Sequence, residues 1–473
     1  MKKLLAMLLA CVMVFGLCAC SGNSAPAATQ APATEAPKAE APATEAPAAD
    51  GSKVTINVMS FTDEVPGMIT KYMEAHPDVA AKYDVNTTII ATTDGLYQPA
   101  LDQALQAGGA DAPDIYCAES AFVLKYCQGD AAEFAATYED LGIDVAAATK
   151  AADIAQYTID IGTRPSDGKL VGLGYQATGG AFIYRRSIAK DVWGTDDPAV
   201  VAEKIGAGSG SWDAFFAAAE ELKAKGYAIV SGDGDIWHAV ENSSATGWIV
   251  DDALNIDPSR EAFLDLSKKL VDNGYHHDTT DWQEGWFADM KKDGGVLGFY
   301  GPAWLINYTL APNAGEGDNS SAGDWACCAP NIGFFWGGTW LLAGKSVVGT
   351  EKAEFVRDFI NWVTLDATED GLQYKWANGT LNGEGGTKDC VASGTVMAKS
   401  NGELEFLGGQ NMFDAFVPAN AYANGKNLTQ YDETINTAWR DAVRQYAHGQ
   451  VSRDEAIENF KTTVSDTLGL DVG

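Results

Sequence analysis

The feature that most constrains the fold is a change of period that recurs from residue 54 onward. Val54-Thr55-Ile56-Asn57-Val58-Met59 alternates and is rich in β-branched residues, which predicts a strand. The loop Ser60-Phe61-Thr62-Asp63-Glu64 follows, then an amphipathic segment over 66–76 that reads as a helix. Tyr83 to Ile90 is a second strand, and Leu96 to Ala107 a helix with Leu101 and Leu105 on one face. Ala112-Pro113-Asp114-Ile115-Tyr116-Cys117 is a short apolar strand behind a turn. Strands alternating with helices predict an α/β fold on a parallel sheet. Ligands of such sheets sit at the carboxyl ends of the strands, which gathers Ser60 to Glu64, Asp94 and Glu119 at one rim.

The preceding residues lack this pattern. Met1-Lys2-Lys3, an apolar run from Leu4 to Leu17 and Cys18-Ala19-Cys20-Ser21-Gly22 have the order of a secretory signal, too short for a membrane span. Leu17-Cys18-Ala19-Cys20 resembles the bacterial lipobox, which implies cleavage before Cys20 and lipid on its thiol. The small Ala19 makes Cys20 a better candidate than Cys18. Residues 1–20 are therefore read as a lipoprotein signal peptide, whose acyl chains anchor without spanning. Ala25 to Ala49 is almost entirely Ala, Pro, Thr and Glu, so it cannot bury enough apolar surface to offset ordering. Residues 21–52 are read as a disordered tether.

The roughly 420 residues from Lys53 onward exceed one core and predict two lobes. No later apolar run is long enough to be transmembrane. A net charge of −33 argues against nucleic acid and against an anionic membrane patch. Outside the leader stand Cys117, Cys127, Cys327, Cys328 and Cys390, an odd set without metal-ligand spacing. They read as small buried apolar residues, not as a disulfide framework.

Gly172 to Tyr184 is glycine-rich and then apolar, a candidate crossing between lobes. Ser211 reads as the N-cap of a helix running to Lys225. Gly226 to Val230 is a strand ending in Ser231-Gly232-Asp233-Gly234-Asp235-Ile236-Trp237. Val296 to Tyr300 is a strand leading into Gly301-Pro302-Ala303-Trp304. Helices are expected over 260–272, 351–365, 432–446 and 454–468, the second with Phe355, Phe359 and Trp362 on one stripe. In Phe334-Phe335-Trp336-Gly337-Gly338-Thr339-Trp340-Leu341-Leu342, four large rings crowd a Gly-Gly pair. That is either a buried aromatic strand or a bend offering ring faces to a sugar's C–H surfaces and bare amides to its hydroxyls. Trp212, Trp282, Trp286 and Trp362 read as packing residues.

Taken in order, these segments resemble the extracellular solute-binding proteins of bacterial carbohydrate ABC importers, the group that includes maltose-binding protein. The matching pieces are the strand from Val54, Ala112 to Tyr116, Phe182-Ile183-Tyr184-Arg185-Arg186-Ser187, Ser211 to Phe215, Tyr300 to Trp304, and Phe335 to Trp340, spanning roughly Lys53 to Leu468. The resemblance implies a two-lobed periplasmic-binding-protein-like α/β fold, hinge-linked, with the ligand cleft between lobes. Residues 53–180 with 335–378 would form one lobe, and 181–334 with 379–473 the other. Crossings would lie near Gly179 to Phe182, Asn331 to Phe335 and Trp376 to Thr380. Cleft positions would be Phe61, Asp63, Glu64, Asp94, Glu119, Tyr175, Asp235, Trp237, Trp304, Trp336, Gly337, Gly338 and Thr339. Ala118 stands where maltose-binding protein has a tryptophan. The implied partners are a carbohydrate and the importer's permease subunits, with the membrane met only through lipid. A monomer with no cofactor is expected.

Two other readings stand beside this one. An extracellular carbohydrate-cleaving enzyme needs two carboxylates flanking a bond, and Asp235 with Glu119 is the candidate pair. No Gly-x-Ser-x-Gly or His-Glu-x-x-His motif occurs. Ser231 to Asp235 has the alternate Asp and Gly of a calcium loop, but lacks the glutamate that closes one and reads as a solvated turn.

Overall fold

Two larger β-sheets carry the chain, in a computed structural model that describes residues 53–92, 95–383 and 385–473. The expected signal peptide, Cys20, the tether and Asp94 lie outside the described residues. The strands are β1 Val54–Ser60, β2 Tyr83–Ile89, β3 Ile115–Glu119, β4 Gly172–Gly174, β5 Ala181–Arg185, β6 Gly298–Gly301, β7 Trp325–Cys328 and β8 Thr339–Ala343. The helices that shape the site are α1 Glu64–Ala75, α2 Tyr97–Ala107, α3 Gly234–Asn242, α4 Ala353–Thr364 and α5 Asp432–Ala447.

The first sheet is five-stranded in the order β2-β1-β3-β8-β4. β1 is parallel to β2 and β3, with Val58 opposite both Thr87 and Ile115. β8 runs antiparallel to β3 and β4, pairing Leu341 with Cys117 and with Leu173. The parallel sheet expected from the sequence is therefore mixed. Thr339 enters opposite Glu119, at the carboxyl end of β3, so β8 can only run back against its neighbour. The second sheet is three-stranded, β6-β5-β7, and antiparallel throughout. The strand expected over 226–230 is reduced to two single bridges, Ala228 to Val296 and Val230 to His276.

Helical period builds the layers. α1 buries Val65, Met68, Ile69 and Tyr72 on one stripe. Tyr72 meets α4 at Phe359 and Trp362, with ring centroids 5.6 and 5.3 Å apart. Separate packing gathers Phe182, Phe215, Trp237, Phe263 and Trp439 around the second sheet. Cys117, Cys127, Cys327, Cys328 and Cys390 are free thiols, all buried. The helix expected to run from a Ser211 N-cap to Lys225 spans Asp213–Lys223 with Trp212 at its N-cap position. Ser211, one residue earlier, accepts only from Asp213 N–H at 3.1 Å in the turn before it.

Two stretches pass between the sheets side by side. Gly180 N–H donates to Phe334 O at 2.8 Å and Trp336 N–H to Thr178 O at 3.1 Å. Thr178 Oγ1 donates to Gly337 O at 2.9 Å. After residue 378 the chain stays with the first of these stretches: Ala177 N–H donates to Cys390 O and Ala392 N–H to Tyr175 O. It bonds the second sheet and its approach at Phe406 and Gln410, to Gly323 and Cys327.

Gly180 sits where a Cβ would lie 2.0 Å from the Phe334 ring. Gly180→Ala is expected to cost about 1–3 kcal/mol in urea denaturation. Gly67→Ala, in α1 with nothing within 4 Å of the new carbon, should cost nothing and serves as the comparison.

Candidate functional site

A pocket of about 100 Å³ opens where the first sheet's carboxyl edge faces α3 and α5. One wall is Glu119, Ser120, Ala121 and Leu124, just past β3. The other is His238, Glu241 and Asn242 on α3, with Thr429, Asp432, Glu433 and Asn436 around the start of α5. Phe335, Trp336 and Gly337 form its back. The walls are bridged at their edges by Gln98 Nε2 donating to Glu433 Oε2 at 2.8 Å and Asp130 N–H to Gln430 Oε1 at 3.0 Å.

The aromatic bend stands at the centre of this arrangement. Gly337 and Gly338 have φ of 78° and 110°, a region that favours glycine. A Cβ on Gly337 would lie 3.0 Å from Trp304 Nε1. Trp304 Nε1 donates to Trp336 O at 3.0 Å, and the two rings meet edge-on at 4.9 Å. His238 stacks on Trp336 at 4.4 Å. Trp282 joins them, 5.8 Å from Trp336 and nearly parallel to Trp304 at 6.2 Å. It is 47% exposed and held at φ 67°. Such a backbone is uncommon for a bulky residue, and strain of this kind collects at ligand sites. Its loop is pinned to α5 by Arg440, which donates to Asp281 Oδ1 at 2.5 Å.

The rim residues expected from the sequence divide into several environments. Phe61 is half-buried, edge-on to Tyr97 and Phe122. Asp63 is exposed. Glu64, at the start of α1, accepts from the Tyr175 hydroxyl and, at 2.5 Å, from the Tyr308 hydroxyl. Tyr175 is thus buried and committed to Glu64. Glu119 lines the pocket and accepts from Ala121 N–H at 2.7 Å. Thr339 is buried opposite it in the sheet, and Gly338 O accepts from Ser120 N–H at 3.1 Å.

Three assignments change. Trp237 is 1% exposed and packs on Phe263 at 5.0 Å, so it is a core residue. Asp235 is buried too: Oδ2 accepts from Ser231 and Gly232 N–H at 2.8 and 3.0 Å, and Oδ1 from Trp286 Nε1 at 2.9 Å. It holds its own turn and is spent for acid–base work with Glu119. Trp282, assigned to packing, is exposed beside the indole pair. The physical reason for the first two is that 234–242 is a helix, not the loop expected there. His238, Glu241 and Asn242 then share one face at i, i+3 and i+4, opposite the buried Ile236, Trp237 and Val240. That spacing was the available signal for the pocket residues missed. Asp233 accepts from Ser267 Oγ at 2.6 Å, and among the described residues no group of three His, Cys, Asp or Glu is placed to hold a metal.

Burial dominates the electrostatics. Desolvation pushes Glu119 up to about 7, with Glu433 adding to the rise. It does the same to Asp432, also about 7, with Glu241 contributing. Asp235 and Asp389 are raised to about 7 by the same cause. Burial also raises Glu64, against the pull of its two tyrosine donors. In Glu241 burial is outweighed by bonds from His238 and Asn436, which hold it below the usual range.

Comparison with known proteins decides the class. The family model described as bacterial extracellular solute-binding protein matches residues 67–405. The chain belongs to that family. No curated protein matches the sequence. Among solved structures, this solute-binding protein is similar to the galacto-N-biose/lacto-N-biose I-binding protein of the ABC transporter from Bifidobacterium longum, in complex with lacto-N-biose. The TM-score is 0.64 at 18% identity, covering 90% of this chain and 100% of the other. The GacH receptor of Streptomyces glaucescens, studied with acarbose, gives 0.62 at 16% identity, covering 89% and 100%. An ABC substrate-binding protein from Listeria monocytogenes in complex with cycloalternan gives 0.61 at 16%, covering 88% and 100%. The fold is the two-lobed one of such binders, and the protein binds a solute outside the cytoplasm and is not an enzyme. Among the described residues no helix is long and apolar enough to cross a membrane.

Trp237→Ala should cost about 3–5 kcal/mol of stability, read by urea denaturation. A second expectation concerns pH. Glu119, Asp235, Asp389 and Asp432 hold protons up to about 7 when folded, whereas unfolded carboxylates release theirs near 4. Between those values the folded state binds more protons, so stability falls as pH rises and levels off above about 7. The melting temperature without ligand should drop from pH 5 to pH 7.5, and Asp432→Asn should flatten that slope.

Proposed function

We propose that this protein captures a sugar or oligosaccharide between its lobes and delivers it to the permease subunits of an ABC importer. The observation that carries this reading is the cluster of Trp282, Trp304 and Trp336 beside a carboxylate-lined pocket. Indole faces bury the C–H surfaces of a pyranose, about 2 kcal/mol per ring. Carboxylates accept from its hydroxyls, which must find partners once the cleft closes. The similar proteins that hold lacto-N-biose and cycloalternan support the ligand class, and the Bifidobacterium longum protein's ABC transporter supports the importer.

Within this reading Phe61, Asp63, Glu64, Glu119, Trp304, Trp336, Gly337, Gly338 and Thr339 border the ligand, with Tyr175 orienting Glu64, and Trp282 joins them. One lobe is 53–180 with 335 to about 400, the other 181–334 with the remainder. Closure follows from tighter binding to the closed state. The protein acts as a monomer, anchored at the outer membrane face by acyl chains on Cys20.

A calorimetric screen of mono- and oligosaccharides should find at least one that binds and raises the melting temperature. Tight binding of a peptide with no response to any sugar would overturn the ligand class. Trp282→Ala and Trp304→Ala should each weaken the sugar about tenfold or more while leaving the fold intact. Cys20→Ser should move the protein from the membrane fraction to the medium.

A further inference from the structure

Resting on the reading of this cleft as a sugar site, we infer that hydrogen bonds between its two halves stop it at both ends. It then takes a short sugar, a monosaccharide or disaccharide enclosed whole, and Tyr308 is the residue that sets this length.

One stop is at the pocket. Gln98 on α2 donates to Glu433 on α5 at 2.8 Å, and Asp130 N–H donates to Gln430 Oε1, just before α5, at 3.0 Å. Gly129 lets the Gln430 side chain come this close, since a Cβ there would lie 2.2 Å from Oε1. The space enclosed is about 100 Å³, below the roughly 300–1,000 Å³ usual for drug-sized ligands.

The other stop lies past the indoles. Trp336 lines the pocket, Trp304 meets it edge-on, and Tyr308 stands one helical turn beyond Trp304. The Tyr308 hydroxyl donates to Glu64 Oε2 at 2.5 Å. Glu64 opens α1 behind β1 of the first sheet, and Tyr308 follows β6 of the second, so this bond joins the two halves of the cleft. The other oxygen of Glu64 accepts from Tyr175. Both carboxyl oxygens are thus taken, with Tyr308 itself 46% exposed as the outer wall of the contact.

A short sugar meets neither stop. It lies across the indoles with one end in the pocket, and the bonds at either side form as the lobes meet over it. A third ring running on past Trp304 has to displace Tyr308. Its hydroxyl only replaces the phenol at Glu64, so it gains no bond there, and the contact between the lobes is lost. A bond to a carboxylate is of a strength that makes this loss about tenfold or more in affinity.

The test is calorimetry of the full chain at pH 7.5 with ladders of α-1,4-gluco-, β-1,4-gluco- and β-1,4-galacto-oligosaccharides, from the monosaccharide to the hexasaccharide. In the ladder that binds, the monosaccharide or disaccharide should be tightest, and the trisaccharide and longer members about tenfold weaker or more. Tyr308→Ala, checked by circular dichroism, should bring the trisaccharide to within about threefold of the disaccharide. Tyr308→Phe, which keeps the ring and loses only the bond, should move that ratio the same way. The ratio is the readout, because loss of a contact between the lobes weakens every member alike. Affinity that holds level or rises beyond the disaccharide in the unaltered protein would overturn the inference and leave the sugar reading standing. A length preference unmoved by either substitution would overturn it too, since Tyr308 would not be the stop. Silence across all the ladders would end both the inference and the sugar reading.

Discussion

The bond from Gly180 N–H to Phe334 O ties together the two stretches that pass between the sheets, and much of the site hangs from that tie. Next to it, Thr178 holds Trp336 N–H and Gly337 O. The backbone that carries the indole bend is thus fixed by the same ladder that joins the lobes. Movement of one lobe against the other is therefore felt at Trp336. Side chains from the second lobe, Trp304 and His238, rest directly on that ring.

Where the local period was strong, the fold was legible. Val54 to Met59, the stripe of Phe355, Phe359 and Trp362, and the two C-terminal helices lie as read. What local pattern could not convey was direction. Nothing within Thr339 to Ala343 says that this strand enters beside Glu119 and runs backward, because that depends on a chain returning from the other lobe. The site was half visible. The indoles at 304 and 336 stand out as rings beside glycine, whereas Trp282 looks like any core tryptophan until a left-handed backbone turns it outward. Reading 231–237 as a loop misplaced Trp237 and hid the helical face carrying His238 and Glu241. Asn436 on α5 meets Glu241 on α3 across nearly two hundred residues, a proximity no spacing rule supplies.

The acidity of the chain has two distinct consequences. On the exposed surface, charge is screened and serves solubility. Inside the cleft the same residue type is desolvated, which raises the proton affinity of Glu119 and Asp432. Glu64 shows the other solution available to a buried carboxylate, with two tyrosine hydroxyls closing off both of its oxygens.

The buried thiols bear on how such a protein matures. Cys327 and Cys328 alternate along β7, the first packed in the larger core and the second against the other. All five described cysteines are free, so the lobes cohere by packing and hydrogen bonds, with no covalent cross-link among them. A chain that folds outside the cytoplasm in this way needs no thiol oxidase or disulfide isomerase to reach its native state, and export and ripening are uncoupled from the redox poise of its surroundings.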